Sequence, residues 1–142
     1  MIVRGRFIAD APYFAVHLRS AYFEGMVWLL ADTGASCAAL LDRDVGALRI
    51  PPKALVPAPV PLVGIGGSVR TFLVRDVELT FASDEGDVAI QQGISVIQHD
   101  LKRLPSEEAS RILRLPSLLG RDVINRFHFT CDYGSGTVSL RR

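Results

Sequence analysis

The stretch Trp28–Gly34, WLLADTG, carries an apolar run directly into a polar turn. The apolar part does not alternate with polar residues, which predicts a strand covered on both faces. Asp and Gly are frequent turn residues, so Asp32-Thr33-Gly34 taken alone is also compatible with an ordinary turn. The junction therefore predicts a buried strand that leads into an aspartate, and the segments around it must show what that aspartate does.

Strand patterns surround this junction on both sides. Runs rich in β-branched and aromatic residues predict three antiparallel strands before the turn and several strands after it. The predicted strands cover residues 3–8, 13–18, 23–30, 61–65, 68–74, 77–81, 88–96, 127–133 and 137–140. Gly66-Gly67 predicts a tight hairpin between the fourth and fifth of these, and the last two form a closing hairpin.

Helical signals are few and short. A helix or irregular turn is predicted within 38–48, a surface helix over 106–114 with Ser106 as its N-cap, and a helix over 121–127. Five prolines within 50–61 predict an extended loop without regular ladder pairing. The pattern as a whole predicts an all-β, barrel-like domain that spans residues 1–142.

Composition excludes several classes of partner. The 142 residues are 49% hydrophobic and carry 16 Lys and Arg against 15 Asp and Glu, a net charge of +1. We therefore expect one domain, with no positive field to bind nucleic acid or an anionic membrane. The longest apolar run, Met26–Ala31, is too short to span a membrane, and charges interrupt the N-terminal apolar stretches. These features predict a soluble, cytoplasmic protein.

The candidate metal ligands are scattered. Cys37 and Cys131 form no CxxC pair, and His17, His99 and His128 lie far apart in sequence. Two thiols are too few for a disulfide scaffold or a tetrahedral zinc site. We expect neither a metal nor a cofactor. For Cys37 we favour the role of a small buried hydrophobe over that of a redox-sensitive thiol near a cleft.

Three motifs follow one another along nearly the whole chain: Asp32-Thr33-Gly34-Ala35-Ser36 after the apolar strand, Gly64-Ile65-Gly66-Gly67, and Leu118-Leu119-Gly120-Arg121-Asp122-Val123. Together they resemble the retropepsins, the single-domain aspartic proteases typified by retroviral enzymes. The resemblance implies a retropepsin-like acid-protease barrel with one lobe per chain and a short C-terminal helix. It also implies that the active form is a two-fold dimer.

The chemistry explains why a dimer would be needed. Amide hydrolysis without a metal or covalent nucleophile uses one carboxylate as base and one carboxylic acid as proton donor. Two such groups placed close together share a proton and titrate as a coupled pair. This chain contains a single Asp-Thr-Gly, so we expect an aspartic endopeptidase that pairs Asp32 with its mate in a homodimer and cleaves polypeptides.

The resemblance assigns roles to the remaining motif residues. Thr33 would join a hydrogen-bond network across the dimer axis, and Gly34 would donate its N–H to the carboxylate. Ala35, where two-lobed pepsins usually have a hydroxyl residue, would contact substrate and predicts a milder pH optimum. The flap over the substrate would consist of Gly64, Ile65, Gly66 and Gly67. The structural support of the site would come from Leu119, Gly120, Arg121 and Asp122.

A further assignment concerns Arg121: in the family the arginine of the third motif pairs with acidic residues, and Asp42 and Asp44 are the candidates here.

Two departures from the family pattern accompany these assignments. Asp122 replaces an asparagine found in many retroviral members, so the resemblance does not specify which hydrogen bonds Asp122 forms. The C-terminal hairpin is longer than the single interface strand of the retroviral enzymes, which predicts a different dimer interface.

Two alternatives to a general protease stay open. A binding or assembly module that kept the retropepsin fold would have little proteolytic turnover. A processing protease for one dedicated partner would be inert toward generic substrates. A nucleotide site at Gly64–Gly67 is disfavoured because the segment has no G-x-G-x-x-G frame and no helix follows it.

Overall fold

The structure is a computed structural model and describes residues 1–59 and 69–142. It is mostly β, with three short α-helices among the described residues. The strands are β1 Ile2–Arg4, β2 Arg6–Ile8, β3 Ala11–Arg19, β4 Glu24–Ala31, β5 Ala39–Leu40, β6 Val56–Pro57, β7 Arg70–Ser83, β8 Gly86–Gln98, β9 Ser117–Leu119, β10 His128–Asp132 and β11 Thr137–Arg141. The helices are α1 Asp42–Ala47, α2 Ser106–Ile112 and α3 Arg121–Ile124, with 3-10 turns at Pro52–Ala54 and Leu101–Arg103.

Six strands close into a barrel. Around the ring, β3 pairs with β4, β4 with β9, β9 with β5, β5 with β8, β8 with β7, and β7 again with β3. Alternate residues of these strands point into the barrel, and their side chains are almost completely inaccessible to water. The largest fully buried side chains of these strands are Phe14, Phe81, Leu18, Leu29, Leu40, Leu79, Ile94 and Leu119, and Leu140 of β11 belongs to the same core. Removing this apolar surface from water stabilises the barrel.

The pairing of β4 with β9 positions the site. These strands run parallel, and Ala31 lies opposite Leu119. The carboxyl ends of parallel strands meet at the same edge of a sheet, so Asp32 and Gly120 emerge side by side. Two motifs nearly ninety residues apart in sequence are thereby brought together.

The first predicted strand is divided at Gly5. β1 pairs with β11 and β7, whereas β2 pairs with β3, so the predicted single strand 3–8 was wrong. A Cβ at Gly5 would lie 2.5 Å from the carbonyl oxygen of Tyr13. Glycine permits this close approach of two backbones, and the chain changes strand partners there.

Burial along β4 corrects a second prediction. Val27, Leu29 and Ala31 face the core, but Met26 is 62% and Trp28 is 37% exposed. The strand is therefore covered on one face and not on both. The guanidinium of Arg6 lies 4.3 Å from the centre of the Trp28 ring, a cation–π contact that shields part of the indole.

Other segments also differ from the sequence predictions. Val56 and Pro57 do pair with β7, contrary to the expected absence of ladder pairing, because proline is tolerated in a short edge strand. β7 is continuous over Arg70–Ser83, with a register shift between Val74 and Val77 where two strands were expected. Ser106 is the first residue of α2 and not its N-cap, which is Pro105.

The C-terminal third agrees more closely with the predictions. The closing hairpin is confirmed, since all five residues of β10 pair with β11. α3 ends at Ile124, three residues earlier than expected. The predicted strand 61–65 and the Gly66-Gly67 turn lie outside the described residues. Within 1–59 and 69–142, no helix is long and apolar enough to cross a membrane.

Candidate active site

Asp32 lies directly after β4, at the rim of the barrel. Its backbone N–H donates to the carbonyl oxygen of Leu119 at 3.0 Å, which extends the β4–β9 pairing by one bond. The chain then turns, and the N–H of Ala35 donates to the carbonyl of Asp32 at 3.1 Å. Asp32 is half-buried, whereas Thr33 and Gly34 are exposed. The carboxylate is therefore held by a fixed backbone on a face open to solvent.

Gly34 interacts with the carboxylate directly. Its N–H donates to Oδ1 of Asp32 at 2.8 Å, the hydrogen bond expected from the sequence. A Cβ at Gly34 would lie 3.1 Å from the same oxygen, tighter than most real contacts. A hydrogen bond to an ionised acceptor is stronger than a neutral one. Gly34 thus orients one oxygen of Asp32, and within residues 1–59 and 69–142 no hydrogen bond is made to Oδ2.

Gly120 packs against the loop that follows Asp32. A Cβ on Gly120 would lie 2.3 Å from the carbonyl carbon and 2.5 Å from the carbonyl oxygen of Cys37. Only glycine leaves room for this contact of backbone on backbone. The close packing joins the third sequence motif to the loop that carries the first.

Arg121 makes two hydrogen bonds to the same loop. Its backbone N–H donates to the carbonyl of Ala35 at 2.9 Å, and its Nη1 donates to the carbonyl of Thr33 at 2.9 Å. Both acceptors lie on the turn around Asp32. The arginine therefore holds the turn from outside, through main-chain oxygens.

Asp122 uses both oxygens to tie three elements together. Oδ1 accepts the N–H of Ala38 at 2.9 Å, and Oδ2 accepts Nε2 of Gln92 at 2.9 Å. Oε1 of Gln92 in turn accepts Nη2 of Arg126 at 3.1 Å. The network connects α3, β8 and the segment after Asp32. These bonds show which partners Asp122 has at the position where many retroviral members have asparagine.

Comparison with known proteins gives structural matches alone. No protein-family model matches the chain, and no curated protein matches it. A retropepsin-like aspartic protease from Rickettsia conorii is similar at 20% identity, over 99% of this chain and 88% of that one, with a TM-score of 0.55. EIAV protease complexed with the inhibitor HBY-793 is similar at 19% identity, over 82% of this chain and 86% of that one, with a TM-score of 0.50.

The chain has the retropepsin-like fold. Its Asp-Thr-Gly turn, its Leu-Leu-Gly strand and the short helix after it occur in the order that the sequence resemblance implied. The likeness is one of fold, and the expectation of an all-β barrel is confirmed.

The acidic partners expected for Arg121 in this retropepsin-like chain were wrong. Asp42 accepts the N–H of His99 at 3.0 Å and lies 2.6 Å from its Nδ1. Asp44 is buried, lies 3.3 Å from Arg43 and accepts the hydroxyl of Ser117 at 2.5 Å. The Asp42 carboxylate therefore contacts His99, and the Asp44 carboxylate contacts Arg43 and Ser117. Arg121 instead uses the carbonyl of Thr33.

The remaining predicted site residues are placed as follows. Ala35 is half-buried beside the Asp32 turn, and Leu119 is fully buried in β9. The proposed flap, Gly64–Gly67, lies outside the described residues. Cys37 is half-buried, with Sγ 3.4 Å from the hydroxyl of Ser95, so it is less enclosed than the buried hydrophobe expected from the sequence.

Sequence reasoning missed two residues that hydrogen-bond to carboxylates in the elements next to the Asp32 turn. Gln92 lies in β8 and meets Asp122 thirty positions later, and Ser117 joins Asp44 to the N–H of Leu41 at 3.0 Å. Both are polar residues in strand patterns where solvent exposure is the usual explanation. A buried carboxylate needs hydrogen-bond donors, but the sequence does not show which distant residue supplies them.

Proposed function

We propose that this protein is an aspartic endopeptidase in which two copies of Asp32, one from each subunit of a homodimer, activate a water molecule to hydrolyse a peptide bond. The observation that carries the proposal is the Asp32 turn. In a retropepsin-like barrel, a half-buried aspartate accepts the N–H of Gly34 at 2.8 Å on a face open to solvent.

The proposed reaction needs two protonation states of the same residue. One Asp32 carboxylate takes a proton from the water, which attacks the scissile carbonyl carbon. The other, protonated, Asp32 donates its proton to the carbonyl oxygen, which gives a tetrahedral intermediate with two hydroxyl groups. As the C–N bond breaks, the first Asp32 passes the proton from the water to the leaving amine, and one hydroxyl of the intermediate gives its proton back to the second Asp32. Two adjacent carboxyl groups share one proton because both cannot ionise at close distance. The pair thus supplies the base and the acid together.

The dimer follows from the single motif. The chain contains one Asp-Thr-Gly, and Thr33 and Gly34 beside Asp32 are exposed. A two-fold axis through this face would bring two identical turns together. The hydroxyl of Thr33 both donates and accepts, which suits a contact between two equivalent residues.

The test is digestion of a complex peptide library by the wild type and the Asp32→Asn variant over about pH 4 to 8, the range open to a tuned carboxyl pair. Mass spectrometry of the products maps the cleaved bonds. Asp87→Asn is the matched control, because Asp87 is an exposed carboxylate on β8. We expect cleavage by the wild type and by the control, and its loss in Asp32→Asn.

The contrary outcomes separate the alternatives. Cleavage that persists in Asp32→Asn would exclude Asp32 as the catalytic acid and base. No cleavage by a confirmed dimer would favour a binding module or a protease dedicated to one partner. Capture of partners with the Asp32→Asn variant, followed by digestion of the captured protein, would then distinguish those two.

A further inference from the structure

The outer face of β2, β3 and β4 exposes three large apolar side chains, Ile8, Met26 and Trp28. In the β3–β4 ladder Met26 lies opposite His17 and Trp28 lies opposite Ala15, on the face that points away from the core. The register of β2 on β3 puts Ile8 on the same face. Large apolar side chains that are exposed together on one face usually mark a binding surface.

Two cavities, of about 340 and 290 Å³, indent this face, and Met26 lines both of them. The larger cavity surrounds Trp28 and is bordered by Arg6. The smaller one is lined in part by the small side chains of Ala15 and Ala82. Together these residues form one continuous depression, the outer groove. Of the described residues, none from the Asp32 turn or the Leu-Leu-Gly strand lines either cavity.

Arg6 supplies the uncompensated charge of the outer groove. Its guanidinium carbon lies over the Trp28 ring, 4.3 Å from the centre. A guanidinium held over an aromatic ring keeps the N–H donors in its own plane available. Within residues 1–59 and 69–142 the Arg6 side chain makes no hydrogen bond or ion pair. The charge of Arg43, by contrast, is compensated by Asp44 at 3.3 Å. An incoming carboxylate would therefore bind Arg6 through two parallel hydrogen bonds.

We propose that the outer groove binds an extended segment of another polypeptide, in which a carboxylate is followed by two apolar side chains, each two residues further along. Alternate side chains of an extended chain point to the same side, about 6.5–7 Å apart. The carboxylate binds Arg6, and the first apolar side chain packs against Trp28 and Met26 in the larger cavity. The second enters the cavity beside Ala15. This site is separate from the proposed chemistry of Asp32 and does not depend on it.

The charges favour an acidic segment over a second copy of the chain. Two copies packed face to face through the outer groove would bring their Arg6 side chains toward each other, and like charges repel. The larger cavity offers no free carboxylate in exchange, because Asp44 is buried and already bonded to Arg43 and Ser117. An acidic and apolar segment satisfies both the guanidinium and the exposed apolar surface.

Trp28 reports on the outer groove directly, because it is the single tryptophan of the chain. Its fluorescence is titrated with the acetylated and amidated peptide Glu-Ser-Leu-Ser-Leu, which carries the carboxylate and both apolar side chains on one side when extended. The control peptides are Lys-Ser-Leu-Ser-Leu, with the charge reversed, and Glu-Ser-Ser-Ser-Ser, without apolar side chains. All titrations use the Asp32→Asn variant, so that the proposed active site cleaves no peptide. We expect a saturable change with the first peptide and none with the controls.

Variants of the groove test which residues make the contact. Arg6→Ala should weaken binding of the acidic leucine peptide at least about tenfold, because it removes a charge-assisted pair of hydrogen bonds. Arg6→Lys keeps the charge without the paired donors and should lie between the two. Met26→Ala should weaken binding about threefold or more through lost apolar contact. The matched controls are Arg111→Ala and Leu113→Ala, both exposed and at α2, and they should leave the Kd unchanged.

Each outcome supports or overturns the proposal. Binding of the acidic leucine peptide that depends on both Arg6 and Met26 supports it. Equal binding of the lysine peptide, or unchanged affinity in Arg6→Ala, overturns the recognition of a carboxylate and places any bound peptide elsewhere. No saturable change at millimolar peptide overturns the docking groove. Self-association that Met26→Ala abolishes, measured by sedimentation, would assign the groove to a second copy and overturn the proposed occupant.

Discussion

Gly34 brings two interactions to the same oxygen of Asp32. Its N–H donates to Oδ1 at 2.8 Å, and an added Cβ would lie 3.1 Å from that atom. The first contact orients the carboxylate, and the second means that an added side chain would displace this oxygen by a few tenths of an ångström. Activity therefore depends on this residue more than stability does.

Gly34→Ala keeps the backbone N–H, but its Cβ would lie 3.1 Å from Oδ1 of Asp32 and displace that oxygen. Because a hydrogen bond to a charged group contributes about 1.5–3 kcal/mol, its distortion should reduce kcat/KM at least about tenfold. The midpoint of urea unfolding should change little, because Gly34 is exposed. Peptide cleavage and urea unfolding are measured on the same preparations. A large loss of stability with unchanged kcat/KM would contradict the assignment.

Asp122 gives a second test at the scale of single atoms. Both of its oxygens accept hydrogen bonds, from the N–H of Ala38 and from Nε2 of Gln92. An asparagine has one acceptor oxygen, so Asp122→Asn leaves one donor facing an NH2 group. We expect a loss of about 1–3 kcal/mol in the free energy of unfolding, measured in urea.

A compensating change distinguishes this cause from a general loss of packing. With Gln92→Glu added to Asp122→Asn, the new amide group has a carboxylate to donate to, and Arg126, 3.1 Å from Gln92, gains an anionic partner. The double variant should recover most of the lost stability. If it is as unstable as the sum of the two single variants, the pairing of hydrogen bonds is not the cause.

The junction between β9 and α3 is the element that supports the site. Gly120 lies against the backbone of Cys37, and Arg121 donates to the carbonyls of Ala35 and Thr33. The contacts of Gly120 with Cys37 and of the Arg121 N–H with Ala35 join backbone to backbone, so no side-chain rotation relieves a clash there. The junction fixes the Asp32 turn relative to the barrel.

Gly120→Ala should lower the free energy of unfolding by about 3 kcal/mol or more, because its Cβ would meet Cys37 at 2.3 Å. Gly46→Ala is the matched control. Gly46 lies in α1, and a Cβ there would have no neighbour within 4 Å. That variant should be about 0.5–1 kcal/mol more stable than wild type, since alanine favours helix. Equal effects at the two glycines in chemical denaturation would contradict this explanation.

At the scale of the whole molecule, the proposed mechanism makes activity a property of pairs of chains. A subunit with Asp32→Asn should join wild-type subunits and contribute no working carboxylate. After subunit exchange with a ninefold excess of the variant, the activity per wild-type subunit should fall to about a tenth. The same excess of Asp87→Asn, an exposed position, should not lower it. Unchanged activity in the Asp32→Asn mixture would indicate a monomeric enzyme.

The sequence by itself determined the features that depend on near neighbours. Alternation of apolar residues predicted most strands and the C-terminal hairpin, because a strand shows its buried face every second residue. The resemblance of the three motifs to the retropepsins implied the fold, and it also implied the hydrogen bond from Gly34 to Asp32. The division of the first strand at Gly5 escaped prediction, since both halves have strand patterns.

The tertiary structure decided which residues, distant in sequence, form hydrogen bonds with each other. Arg121, expected to pair with Asp42 or Asp44, instead donates to the carbonyl of Thr33, because those carboxylates already face His99, Arg43 and Ser117. Asp122 accepts hydrogen bonds from the N–H of Ala38 and from the side chain of Gln92 on β8. A buried or half-buried charge must be satisfied by whichever donor the packing brings within reach. Which donor lies within reach depends on the three-dimensional arrangement of the strands, and it cannot be predicted from the spacing of residues in the sequence.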